Sequence, residues 1–165
     1  YDIRDLGKQL LPVGMLVVLD SVFNRIIRNR KLGKNTWLYI DEIYLLFQHE
    51  YSANFLFTLW KRVRKYGAFA TGITQNVDDL LQSHTARTML ANSEFIVMLN
   101  QASTDRLELA NLLNISDLQM SYITNAAAGH GIIKIGASLI PFANEIPKNT
   151  ELYKLISTNP NERKI

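Results

Sequence analysis

The stretch WLYIDEIYLLF, residues 37–47, decides the fold that this sequence predicts. It begins with an apolar and aromatic run, residues 37–40, which is typical of a strand buried on both faces of a parallel sheet. The run ends on two adjacent acids, Asp41 and Glu42. Because ligands bind outside the carboxyl ends of the strands in an open parallel sheet, acids at this position are candidates for a functional site.

The composition is that of a single globular domain over residues 1–165, with 47% hydrophobic and 20% charged residues. The absence of cysteine excludes disulfides and thiolate metal sites, and it fits a cytoplasmic location. The three histidines, His49, His84 and His130, show no spacing typical of metal ligands. The net charge of +3 permits contact with nucleic acid or acidic lipid but does not require it.

The longest apolar run, LLPVGMLVVL at residues 10–19, is interrupted by Pro12 and Gly14. It is much shorter than the roughly 20 residues that a membrane-spanning helix needs. From this run we expect no transmembrane helix.

Predicted helices and strands alternate along most of the chain. The helices are expected at residues 12–30, 52–66, 77–93 and 104–113, and the strands at 37–41, 69–74 and 94–100. This alternation is typical of an α/β fold with a mostly parallel sheet flanked by helices. Ser116 can cap a short helix, two apolar runs around Gly136 predict a C-terminal β-hairpin, and a last helix is expected near 150–156.

The ends of the predicted strands carry side chains that suit phosphate chemistry. A carboxylate at Asp41 can hold Mg²⁺ through water ligands, and one at Glu42 can polarise a water that attacks a γ-phosphate. The next strand ends at Thr74 and Gln75, where a neutral amide can hydrogen-bond that water or the terminal phosphate. The third strand ends on a weaker polar pair, residues 100–101.

Each of these residues also has a purely structural explanation. Acids after an apolar run suit the first turn of a solvated helix, where the helix dipole favours negative charge. Gln75 can belong to a capping loop, TQNVDD, in which Asn76 caps the helix and Asp78 and Asp79 occupy its first turn. The sequence around Asp41 therefore leaves both interpretations open.

Taken together, several segments resemble the C-terminal ATPase domain of the type IV secretion traffic ATPase, the fourth component of the VirB set, and its relatives in conjugative elements. They are YDIRDLG (1–7), WLYIDEIYLLF (37–47), WKRVRKYG (60–67), ATGITQN (70–76), MLANSEFIVMLNQAS (89–103) and LLNISDLQMSYI (112–123). The acidic pair and TQ are shared with a wider superfamily of DNA-pumping motors. RKYG and NSEFIVMLNQ are more particular to the secretion ATPases, and the likeness extends over nearly the whole chain.

The resemblance implies a partial RecA-like P-loop ATPase domain and assigns roles within it. Asp41 and Glu42 become the Walker B pair, with Asp41 as the residue that holds Mg²⁺ through water. Gln75 becomes the polar sensor, with Thr74 beside it at the nucleotide. The implied cofactors are ATP and Mg²⁺ in the full-length parent.

Two arginines are further implied by the resemblance. Arg64, in RVRKYG, becomes the residue that reaches a neighbouring subunit's nucleotide, and Arg106 becomes a second nucleotide contact. A structural explanation remains open for Arg64, because cations at a helix end are favoured by the dipole. A separate cluster of basic residues is a weaker candidate for DNA contact, because no aromatic side chain lies among its members to stack on bases. It comprises Arg25, Arg28, Arg30 and Lys31.

The phosphate-binding loop GxxxxGK[ST] is absent from these residues. The Gly-Lys pairs at 7–8 and 33–34 are followed by Gln9 and Asn35 and lack the earlier glycine. In the resembled family the loop lies upstream of YDIRDLG, so we expect a chain truncated after its P-loop. Such a chain should be inactive alone and should bind neither nucleotide nor metal.

The parent would couple ATP hydrolysis to assembly of a type IV secretion or conjugation machine, or to transfer of DNA or protein through it. Its expected partners are other subunits of the same ATPase, as a hexamer, and secretion components at the inner membrane face, where it would be peripherally attached on the cytoplasmic side. Two alternatives remain. One is a catalytically degenerate docking module of the same fold, and the other is a DNA translocase or coupling ATPase of the same superfamily.

A missing P-loop half would also leave strand edges open. In the resembled fold the P-loop strand lies between the strand that ends at Thr74 and the strand at 94–99. Open apolar edges favour aggregation or pairing with another chain. We therefore expect strands 69–74 and 94–99 either to pair directly or to be joined by a strand of a second copy, and we prefer the second copy.

Overall fold

The computed structural model describes residues 6–75, 77–101 and 103–157. The chain divides into two compact units, Tyr1–Asn92 and Ser93–Ile165. In the described residues, the first unit is built on a two-stranded parallel sheet and the second on a three-stranded antiparallel sheet. The fold is therefore a mixed α/β fold.

The first unit follows the predicted order of elements. It contains α1 (Gly7–Lys31), β1 (Thr36–Ile40), a 3-10 helix (Ile43–Phe47), α2 (Glu50–Arg62), a second 3-10 helix (Val63–Tyr66), β2 (Ala68–Gly72), α3 (Val77–Gln82) and α4 (His84–Ala91). The helix expected at 77–93 is split in two. Ser83 breaks it because this residue adopts an extended conformation and its hydroxyl accepts the Ala86 N–H at 3.3 Å, which makes it the N-cap of α4.

The core of the first unit consists of two apolar clusters. One cluster forms around α1, α2 and the start of β2, and its buried members are Ile26, Leu59, Val63 and Ala68. The other contains the first residue after the acidic pair, and its buried members are Ile43, Leu56, Leu80, Ala86 and Met89. The segment that follows Asp41 and Glu42 is therefore anchored by burial of its first side chain.

One face of the parallel sheet is exposed, so the prediction of a strand buried on both faces is wrong. Trp37 and Tyr39 are 63% and 65% exposed, and Phe69 on β2 is 49% exposed. Trp37 and Phe69 stack on each other with 4.4 Å between ring centroids. Because side chains of a strand alternate between faces, the apolar sequence alone did not reveal that the described residues cover only one of them.

Helix α1 is longer than the apolar run from which no transmembrane helix was expected. Within it, Gln9–Lys31 is long and apolar enough to cross a membrane. Of its most apolar 18-residue stretch, 11% is buried. The helix continues beyond residue 19 because Val22, Phe23 and Ile26 extend its apolar spacing. Core helices of soluble proteins meet the same test, so one such helix is weak evidence for a span.

The second unit contains β3 (Phe95–Met98), α5 (Ser103–Leu113), α6 (Asp117–Met120), a 3-10 helix (Ser121–Ile123), β4 (His130–Ile135), β5 (Ser138–Ala143) and α7 (Glu151–Ile156). The predicted hairpin is confirmed as β4 and β5, with Gly136 at φ 55° in its turn. The predicted cap at Ser116 is also confirmed. Its hydroxyl accepts the Gln119 N–H at 3.4 Å, and Gln119 Oε1 accepts the Ser116 N–H at 3.0 Å.

The expected mostly parallel sheet is not found among the described residues. β1 and β2 pair in parallel, but β3 pairs antiparallel with β4, and β4 with β5. Direct pairing of strands 69–74 and 94–99 is also wrong, since β2 and β3 belong to different sheets. Alternation of helices and strands indicates which elements form but does not specify strand order. The alternative with a second copy stays a prediction.

Candidate functional site

The candidate site lies where β1 and β2 end side by side. The two strands are parallel and in register, with Ile40 opposite Gly72. Because both chains leave the sheet at the same edge, the segments 41–42 and 73–75 emerge next to each other. The pairing therefore brings the predicted Walker B acids and the predicted sensor segment to one end of the sheet, as parallel strands require.

A β-bulge separates the two acids from the regular ladder. The N–H of Ile73 donates to the Ile40 carbonyl at 2.8 Å, and the Ile73 carbonyl accepts the Ile43 N–H at 3.0 Å. In a regular parallel ladder, a single residue separates the two residues that hydrogen-bond to one residue of the other strand. Here two residues, Asp41 and Glu42, lie between Ile40 and Ile43, the two residues that bond to Ile73. The second acid is thus the extra residue of a bulge, a feature that often lies next to active sites.

Glu42 adopts a left-handed conformation within this bulge. Its φ is 48° and its ψ is 47°. The other described non-glycine residues with positive φ are Asn114 and Asn125, and asparagine enters this region much more readily than glutamate. A glutamate held there is strained by about 1–2 kcal/mol, and such strain is concentrated at functional sites.

The Asp41 side chain stabilises the turn locally. Its Oδ1 accepts the N–H of Glu42 at 3.0 Å. Asp41 is exposed and Glu42 is half-buried, so both carboxylates lie at the surface end of the strand. One carboxylate oxygen of Asp41 thus bonds to the backbone, whereas Glu42 is held by the backbone geometry of the bulge.

The predicted sensor residues follow β2 at the same edge. Thr74 is half-buried and Gln75 is exposed, and both precede α3, which starts at Val77. Asn76, which the structural alternative makes the helix cap, lies outside the described residues. Asp78 and Asp79 do occupy the first turn of α3, as that alternative expects. The position of Gln75 therefore fits both a sensor and a capping loop.

Arg64 is not brought to this edge. It is exposed and lies in the 3-10 helix Val63–Tyr66, immediately before β2 begins. Since β2 has five residues, Arg64 lies roughly 15 Å or more along the strand direction from the acids. An arginine at the opposite end of the sheet is too far from the acids to join them in one site, so the role predicted for Arg64 would require a neighbouring subunit.

The remaining predicted site residues are placed only in part. Arg106 belongs to α5, but its side chain lies outside the described residues. The predicted DNA-contact cluster is exposed at the C-terminal end of α1, with Arg28, Arg30 and Lys31 in the last turn. In the part of the chain that the structure describes, no three His, Asp or Glu side chains lie together as a metal site.

Two residues of the site were missed by sequence reasoning. Ile73 anchors the bulge through both of its backbone groups, and Gly72 lies against Ile43. Backbone bonds leave no signal in a single sequence. A glycine inside a strand pattern does give one, because it often marks a bulge or a close approach, and ATGIT carried that signal.

Two comparisons with known proteins found similar chains. The model of the family described as TraG P-loop domain matches residues 2–130. The solved structure of VirB4 of Thermoanaerobacter pseudethanolicus is similar with a TM-score of 0.76 and 26% sequence identity, over 99% of this chain and 42% of that chain. The chain thus spans less than half of the VirB4 chain that it resembles. No curated protein sequence matches it.

The family match covers well over half of the chain, and the structural match extends over both units. Together they confirm the resemblance to type IV secretion traffic ATPases that the sequence motifs indicated. The chain belongs to the TraG P-loop domain family.

Proposed function

We propose that these residues form the Walker B part of an ATP-hydrolysing motor domain of type IV secretion, and that they act within a longer protein. The observation that carries the proposal is the strained glutamate at the end of β1. A half-buried Glu42 at φ 48°, next to an exposed Asp41, is an arrangement that structural stability alone does not favour. Its place at the carboxyl ends of parallel strands suits a ligand site.

Asp41 suits a magnesium ion that also carries nucleotide phosphates. Magnesium prefers hard oxygen ligands and is usually bound through one or two protein carboxylates, several waters and the phosphates. An exposed carboxylate at a strand end, which belongs to no cluster of three acidic or histidine side chains in the described residues, fits that donor set. When bound, the ion would neutralise charge on the transferred phosphoryl group.

Glu42 is proposed as the residue that polarises the attacking water, and Gln75 as the residue that orients it, with Thr74 beside it. A carboxylate accepts a proton from water, whereas a neutral amide can hold water or phosphate without adding repulsion. The bulge fixes the backbone of Glu42 on both sides, at Ile40 and at Ile43. Fixing the base in advance is what efficient catalysis requires.

The motor is proposed to work as an oligomer, with a hexamer as the expected form. Arg64 lies at the end of the sheet opposite the acids, so the nucleotide that it is proposed to contact is that of an adjacent subunit. Arg106 is retained as a second proposed contact. Secretion components at the inner membrane face, and DNA at the basic end of α1, are the proposed partners of the cytoplasmic, peripherally attached protein.

ATP hydrolysis is proposed to need residues beyond these 165, because GxxxxGK[ST] is absent from them. The chain alone should show no steady phosphate release. Release by the purified chain that disappears with Glu42→Gln would contradict this part of the proposal.

The test of the catalytic assignment is Glu42→Gln in the full-length protein that contains these residues. Turnover should fall by about 100-fold or more, since a general base contributes roughly 10²- to 10⁴-fold, while nucleotide binding is retained. Glu50→Gln is the matched control, because Glu50 is an exposed glutamate in the first turn of α2. Unchanged turnover in Glu42→Gln would refute the assignment of Glu42 as the base. Absence of turnover in the unmodified full-length protein would instead favour the docking-module alternative.

A further inference from the structure

Gly72, the last residue of β2, lies directly against Ile43. A Cβ atom built on Gly72 would be 2.5 Å from Cδ1, 3.3 Å from Cγ2 and 3.5 Å from Cβ of Ile43. Gly72 is not among the glycines with positive φ, so its backbone is open to any residue. The requirement at this position is therefore space for Ile43.

Ile43 has little freedom to move away from an added methyl group. It is 5% exposed and belongs to the buried cluster with Leu56 and Leu80. The contact of 2.5 Å with Cδ1 is the severe one, and the packed neighbours of Ile43 oppose rotation of Cδ1 away from it. Because protein cores are close-packed, part of the displacement would pass to the Ile43 main chain.

The Ile43 main chain is one of the two anchors of the bulge. Its N–H donates to the Ile73 carbonyl at 3.0 Å, and the residue before it is Glu42. A displacement of Ile43 therefore changes the conformation of Glu42 first. It leaves Asp41 less affected, since Asp41 follows the other anchor, Ile40.

We infer that Gly72 is a positioning residue for the Glu42 carboxylate. Its missing side chain admits Ile43 against β2, and this closes the bulge that holds Glu42 in its left-handed conformation. The inference rests on the proposed function of Glu42. It extends that function by making the residue before the sensor segment a determinant of the base's position.

The test is Gly72→Ala in the full-length protein, with kcat and KM for ATP measured separately. A shift of a few tenths of an ångström at the base should lower kcat about 10-fold, since 1 Å of misplacement can reduce rates about 100-fold. The KM and the affinity for nucleotide should change less than about twofold, because Asp41, the proposed Mg²⁺-binding residue, is displaced less than Glu42. Ile43→Val removes the Cδ1 atom that meets the new methyl group, so adding it to Gly72→Ala should restore most of kcat.

The comparison variants are Ile43→Val alone and Glu42→Gln. If Glu42→Gln keeps its turnover, the proposed function fails and this inference fails with it. If Glu42→Gln loses turnover but Gly72→Ala does not, only the inference is overturned. The inference is also overturned if Gly72→Ala lowers kcat and the addition of Ile43→Val does not restore it. Should Gly72→Ala not fold, equal kcat in the double variant and in Ile43→Val alone supports the inference, and a much lower kcat in the double variant refutes it.

Discussion

Replacing Glu42 by glycine should stabilise the protein, although Glu42 is the proposed catalytic base. The left-handed conformation at φ 48° is unfavourable for every residue with a Cβ atom and free of that penalty for glycine. The informative comparison is Glu42→Gly with Glu42→Ala. Both variants lack the carboxylate, so the difference between their free energies of unfolding reports the backbone preference at position 42 alone.

The magnitude follows from two opposing terms. Release of the left-handed strain contributes about 1–2 kcal/mol in favour of glycine. The greater freedom of glycine in the unfolded chain removes about 0.5–1 kcal/mol of this. Glu42→Gly should therefore be more stable than Glu42→Ala by roughly 0.5–1 kcal/mol, a rise in melting temperature of about 1–4 °C for a chain of this length.

Thermal and urea unfolding of the purified 165-residue chain, followed by circular dichroism, would measure this difference. Asn54 provides the control, because it is exposed within α2, where alanine should be more stable than glycine by about 0.5–1 kcal/mol. The sign of the glycine-alanine difference should thus reverse between the two positions. If alanine is at least as stable as glycine at position 42, Glu42 does not have the strained conformation, and the reasoning from strain to function fails.

Two further predictions concern assembly. In the full-length protein, Arg64→Ala should lower turnover without abolishing nucleotide binding, while Arg62→Ala, at a neighbouring exposed arginine, should not. Mixing Arg64→Ala subunits with wild type should reduce activity more than in proportion, and a strictly proportional loss would favour the helix-end explanation. The 165-residue chain alone should sediment as a dimer at micromolar concentration, because β2 and β3 belong to separate sheets and each has one strand partner in the described residues. A monomer at all concentrations would contradict this.

The elements themselves could be predicted from local sequence. Helical spacing located α1 and α2, and the two apolar runs around Gly136 located the hairpin. The N-cap at Ser116 was predictable because capping depends on neighbouring residues alone. These features are local, so one sequence contains the information that determines them.

Strand pairing and burial could not be predicted in the same way. The apolar strand at 37–40 was expected to be buried on both faces, yet Trp37 and Tyr39 are exposed. Likewise, β3 was expected beside parallel strands and pairs with the hairpin instead. Both properties depend on which distant segments pack against a strand. Apolarity shows that a strand can be buried, but it does not identify the segment that covers it.

The bulge explains why two acids can stand next to each other at the end of β1. In a regular strand, consecutive side chains point to opposite faces, so adjacent carboxylates could not both serve one site. The extra residue opposite Ile73 and the left-handed turn at Glu42 break this alternation between Asp41 and Glu42. The sequence predicted the pair and its chemistry from residue types. The geometry through which the pair is proposed to act depends on backbone hydrogen bonds to β2, and on a glycine there that leaves room for Ile43.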